Sequence, residues 1–101
     1  MQMVLMTFRS SLESEVLNWL DAATVPYTLV EKAHGKGITG HAPGSALWAG
    51  GGENAVLFVV IDDDHVNAFR DRVQQFHRTL SERGKVPLPL HVFVLPCIQW
   101  C

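Results

Sequence analysis

Two short segments constrain this chain more than any other feature, because each reads as a strand that is apolar on both sides. Met1–Phe8 (MQMVLMTF) alternates Val4, Met6 and Phe8 with Met3 and Leu5. Ala55–Ile61 (AVLFVVI) alternates Val56, Phe58 and Val60 with Leu57, Val59 and Ile61. Short continuous apolar runs of this kind suit interior strands of a sheet whose two faces are both covered. Neither run approaches the length of a membrane span.

The segments around them alternate in type. Arg9 and Ser10 break the first run, and Ser10-Ser11-Leu12-Glu13 has the S-x-x-E form in which Ser10 caps a helix and Glu13 reaches back to its amide. Leu12, Val16, Trp19, Leu20 and Ala23 then follow at helical spacing, with Glu13, Glu15, Asn18 and Asp21 on the other faces. Thr24-Val25-Pro26 ends that helix, since the residue before a proline is pushed out of the helical region. Tyr27–Ala33 (YTLVEKA) reads as a second, more polar strand. Asp62-Asp63-Asp64 opens a second helix with carboxylates at the positive end of its dipole. Val66, Phe69, Val73, Phe76 and Leu80 recur there at steps of three and four, and Gly84 sits just past the expected C-terminus. Val86–Pro89 is an extended connector, Leu90–Leu95 a fourth strand and Pro96–Cys101 a tail.

The order βαββαβ predicts an α+β, ferredoxin-like fold: a four-stranded antiparallel sheet with both helices on one face, in one domain over residues 1–101. In that topology the first and third strands are central. Two helices cover only one face, so the second apolar face points to burial against other subunits; the alternative is a monomer that leaves it bare. With 48% hydrophobic and 18% charged residues the chain is not disordered. Eight Lys and Arg against ten Asp and Glu leave a net charge of −2 and no basic stripe, which argues against nucleic acid as a partner. Two cysteines make no disulfide framework. No charged segment precedes an apolar one at Met1, so the expectation is a cytoplasmic protein without direct membrane insertion.

Residues 34–54 (HGKGITGHAPGSALWAGGGEN) hold all but one of the eight glycines in a long loop, a feature more often functional than not. Gly35-Lys36-Gly37 offers unobstructed amides beside an ammonium, suited to cradling an anion, or serves the loop's conformation alone. Trp48 can stack on a base or anchor a partner, or fold back over a subunit interface. Arg78, Arg83 and Lys85 near the end of the second helix are available for phosphate, and equally complement the helix dipole.

These residues carry a resemblance to the P-II nitrogen-regulatory signalling proteins, in particular their P-II-like, short T-loop branch. Arg9–Leu20 (RSSLESEVLNWL) stands where that family has a strand-to-helix turn and a helix of the form L-E-x-V-x-x-A-L. Tyr27-Thr28-Leu29-Val30-Glu31 is similar to its G-x-T-V-x-E strand, with Tyr27 departing, and Gly35-x-Gly37 to the G-x-G that enters the T-loop. Val59–Val66 resembles I-V-V-x-D-D-x-V, and Phe93–Pro96 resembles F-V-x-P. The resemblance implies a homotrimer that binds ADP, ATP or AMP in inter-subunit clefts. It also implies a T-loop, here 34–54, that engages a target such as a membrane transporter. Thr28, Gly35, Lys36, Gly37, Trp48, Val60 and Lys85 form the ligand-binding set expected from it. Three departures stand out. The loop is short and lacks the family's modified tyrosine, and T-G-x-x-G-D-G-K after the second helix is missing, with Arg83-Gly84-Lys85 its nearest counterpart. The tail also lacks the family's phosphate-gripping arginines.

His34 and His41 flank the glycine segment and can meet across a tight loop, with Glu53, Asp62 or a neighbouring subunit completing a site for a divalent transition metal; the alternative is ordinary polar histidines. Short-loop relatives tied to heavy-metal efflux or bicarbonate transport make the metal an expectation of the resemblance too, as do the divalent-cation-tolerance proteins of the same fold. Cys97 and Cys101 would face one way on a helical turn, as a redox pair or soft-metal ligands, or stand as two unconnected thiols. A terminal cysteine pair is similar to the redox-responsive tail of bicarbonate-linked relatives, at a different spacing. No serine, cysteine or lysine has a base partner visible in sequence, so the expectation is a binding protein and not an enzyme.

Overall fold

The fold is described from a computed structural model, over residues 1–34, 53–84 and 88–101. Strands β1 (Gln2–Arg9), β2 (Thr28–Ala33), β3 (Asn54–Ile61) and β4 (Leu90–Pro96) form one antiparallel sheet in the order β2-β3-β1-β4. Helix α1 (Glu13–Ala22) lies between β1 and β2, and α2 (Asp63–Arg83) between β3 and β4. The ferredoxin-like order is therefore present, with the two doubly apolar strands central. Each strand boundary lies within a residue or so of its sequence expectation.

Register decides which side chains meet the helices. Val4, Met6 and Phe8 of β1, with Ala55, Leu57, Val59 and Ile61 of β3 and Leu90 of β4, are buried beneath Val16 and Leu20 of α1 and Phe69, Val73 and Leu80 of α2. The heptad-like steps of α2 thus mark its inner face, as its spacing predicts. Trp19 joins the helices, stacked on Phe76 at 4.6 Å between ring centroids and tilted against Phe69 at 5.7 Å. His77 donates from Nε2 to the Leu90 carbonyl at 3.2 Å and its Nδ1 faces Ser81 Oγ at 3.4 Å, tying α2 to β4.

Helix ends depart from the sequence reading. Ser10 does not form the expected capping box: Ser10–Leu12 is a 3-10 turn, neither it nor α1 has a side-chain cap, and the Ser10 amide donates to the Glu53 carbonyl at 2.9 Å. Glu13 turns instead toward Glu31 of β2. Burial, then a shared hydrogen bond and repulsion from Glu31, push its carboxyl above the ordinary value. Helix α1 ends in a Schellman arrangement, with the Val25 amide on the Leu20 carbonyl at 3.0 Å and the Thr24 amide on that of Asp21 at 3.1 Å. Thr24 occupies its left-handed position at φ 56°, so the helix ends on this turn just ahead of Val25, the residue that Pro26 restricts. Gly84 caps α2 in extended backbone at φ −108°, and its left-handed freedom is unused. Asp62 does precede α2, with Asp63 and Asp64 in the first turn, and Asp63 pairs with the Met1 ammonium at 2.6 Å.

Candidate ligand site and interface

Over most of its length the sheet face away from the helices is apolar and lacks a cover among the described residues; Thr7 and Asn54, at one end of it, are buried. It carries Met3 and Leu5 of β1, Val56, Phe58 and Val60 of β3, Val30 of β2 and Phe93 and Leu95 of β4. Val60 keeps 53% of its surface exposed, Leu95 46% and Phe93 44%. Solvent contact at so many neighbouring strand positions marks an interaction surface.

Two of the expected ligand residues fall on this face. Thr28 is exposed and pairs with Phe58, and Val60 lies two residues further along β3, so the β2–β3 side of the face brings them together. Val60 also reaches a cleft of about 400 Å³ at the end of β3, whose walls include Thr24, Pro26, Asp62, His65 and Arg72. Arg72 makes no ion pair among the described residues, which leaves its guanidinium available at the rim. Gly35, Lys36, Gly37, His41, Trp48 and Lys85 lie outside the described residues, as does most of the T-loop equivalent. The chain returns from that segment at Glu53, beside Ser10.

Other candidates separate. Arg83 pairs with Glu15 at 3.4 Å and so links the helices, while Arg78 is exposed. His34 is exposed at the end of β2, and no group of three or more His, Cys, Asp and Glu among the described residues is placed to hold a metal ion. Cys97 is partly buried, its amide donating to the Met1 carbonyl at 3.4 Å; Cys101 is exposed, and both thiols are free. Residues 97–101 form no helix, so the turn that would align the two sulfurs is absent. No described helix is long and apolar enough to cross a membrane.

Sequence reasoning passed over three residues. Thr7 Oγ1, Arg9 Nε and His91 Nε2 are buried without a hydrogen-bond partner among the described residues. His91 reads in sequence as an ordinary histidine on the last strand, and Thr7 carries no motif. Only the β1–β4 register, which pairs Thr7 with His91, brings them together.

No protein-family model matches the sequence, and none of the curated proteins does. Among solved structures, the chain is similar to CPII from Thiomonas intermedia K12 bound to ADP, AMP and acetate. The identity is 18%, the TM-score 0.61, and the match covers 92% of this chain and 81% of that one. CPII bound to ADP, AMP and bicarbonate matches at 18% identity and TM-score 0.59, over 93% of this chain and 86% of that one. The apo form matches at 17% identity and TM-score 0.61, over 93% and 85%. With its sheet order and the placement of its two helices between β1 and β2 and between β3 and β4, the chain has the fold of CPII, a nitrogen regulatory PII-like protein.

Proposed function

We propose that this chain is a trimeric P-II-like signal-transduction protein. It binds an adenine nucleotide or another anion in inter-subunit clefts and regulates a partner such as a membrane transporter, without catalysing a reaction. One observation carries the reading: the sheet face opposite the helices presents Leu5, Phe58, Val60, Phe93 and Leu95 with no helix among the described residues to cover them. Burial of such a face in a closed ring places the β2–β3 side of each subunit against its neighbour, and that side holds Thr28, Val60 and both ends of the glycine-rich segment. The ligands of CPII, which are ADP with AMP and acetate or bicarbonate, support adenine nucleotide as the ligand class. Gly35, Lys36, Gly37 and Lys85 then meet the phosphates, Thr28 and Val60 line the cleft, and Trp48 reports docking of the loop.

Sedimentation equilibrium is expected to give three times the 11.2 kDa chain mass, and calorimetry with ADP to give saturable binding. In a variant that keeps Trp48 and loses Trp19 and Trp100, ADP is expected to shift the indole emission. A monomer that ignores ADP refutes the reading. Stoichiometric zinc or copper uptake that depends on His34 and His41 replaces it with the metal-tolerance one.

A further inference from the structure

The three orphaned atoms occupy one end of the open sheet face. Thr7 stands directly opposite His91 across β1–β4, and Arg9 follows two residues along β1, so all three belong to the same face. Thr7 is only 4% exposed, yet its hydroxyl has no partner among the described residues, and neither do Arg9 Nε and His91 Nε2. A buried polar group without a partner has given up hydration for nothing, so such groups are rare, and three at adjoining register positions form a socket that lacks its acceptor.

The chemistry of the socket selects its occupant. Arg9 Nε donates in every state, the Thr7 hydroxyl is free to donate, and His91 Nε2 donates in one tautomer and in the imidazolium. Arg9 adds a fixed positive charge that repels a metal ion. Glu53, which precedes β3 at this end of the sheet, is exposed, and its carbonyl accepts from the Ser10 amide. We infer that Thr7, Arg9 and His91 bind a compact oxyanion, a carboxylate or phosphate, with enough acceptor oxygens to satisfy all three. None of the three belongs to the nucleotide set drawn from the sequence, and the inference stands whether or not the chain binds nucleotide.

The test uses the full chain, with thermal unfolding and calorimetry against acetate, inorganic phosphate and ADP. Acetate or phosphate is expected to raise the unfolding midpoint saturably, and Arg9→Gln to weaken that binding by about tenfold or more. Thr7→Val keeps the side-chain shape and removes the orphaned hydroxyl. Without anion it is expected to unfold at a higher temperature than wild type, and with anion to lose most of the shift. Arg9→Lys serves where Arg9→Gln fails to fold, since it keeps the charge but loses the planar fork. Competition between ADP and acetate assigns the oxyanion to a nucleotide phosphate, and independent binding assigns it to a separate small acid; either upholds the site. Absence of a saturable response to all three probes, or the same response in Thr7→Val as in wild type, overturns it. ADP binding that persists while acetate and phosphate do nothing, unaltered in Thr7→Val, sinks this site and leaves the nucleotide reading intact.

Discussion

Truncating Phe93 separates assembly from folding. Its ring keeps 44% of its surface exposed on the open face, beside Leu5 in the β1–β4 register. For a side chain of roughly 200 Å² that is about 90 Å² available to a neighbouring subunit, worth about 2 kcal/mol at 25 cal/mol per Å². Alanine retains part of this, so Phe93→Ala forfeits about 1.5 kcal/mol per chain. Three chains lose about 4–5 kcal/mol, which lowers the assembly constant about 1,000-fold. Val94 is the control. It is 50% exposed, as apolar as its neighbour, and lies on the helix side opposite Val4. Val94→Ala therefore leaves assembly alone. Sedimentation equilibrium over a concentration series reads the constant, and far-UV circular dichroism checks that the dissociated chain stays folded. Equal loss of assembly in the two variants, or none in either, refutes the assignment of the open face as the subunit interface.

Other consequences are more local. Thr24 pays for a left-handed backbone at the end of α1, so Thr24→Gly gains about 0.5–1 kcal/mol in urea unfolding, less than the full strain because glycine also loosens the unfolded chain; a loss of stability refutes the Schellman assignment. Glu13 is held above the ordinary glutamate value of 4.5, so the folded chain keeps that proton to higher pH than the unfolded one. Its contribution is full below that value and is lost as pH rises through the folded pKa. Glu13→Gln therefore gains in unfolding midpoint relative to wild type as pH rises above 4.5, and a difference that does not change with pH counts against the Glu13–Glu31 pair. Lys36→Ala weakens ADP binding by about 1.5–3 kcal/mol in calorimetry, and unchanged affinity moves the phosphate contact elsewhere.

Burial on two faces was legible because it writes itself into composition: apart from Thr7 and the terminal residues Gln2, Arg9 and Asn54, β1 and β3 are apolar throughout, which marks them as the central pair. Helix α2 was legible for a similar reason, since Phe69, Val73 and Leu80 repeat with the helical period and are buried together. Helix ends were less so. Ser10 and Glu13 fit a capping pattern, but the Ser10 amide finds the Glu53 carbonyl and Glu13 faces Glu31, partners that arrive from β3 and β2 and leave no local trace. Thr24 carries no signal for a left-handed cap that glycine ordinarily fills.

The orphaned donors show the same limit most sharply. Thr7, Arg9 and His91 meet because Met6 pairs with Val92 and Phe8 with Leu90 on the opposite, buried face. A slip of one residue between β1 and β4 would break that pairing and drive His91 toward the core while lifting Leu90 into solvent, so it is forbidden by the same apolar alternation that builds the core. Arg9 and Thr7 are likewise held outward because Met6 and Phe8 must point inward. The polar socket is thus the outward face of a register selected by hydrophobic burial, and its position follows from the core even though no motif in the chain announces it.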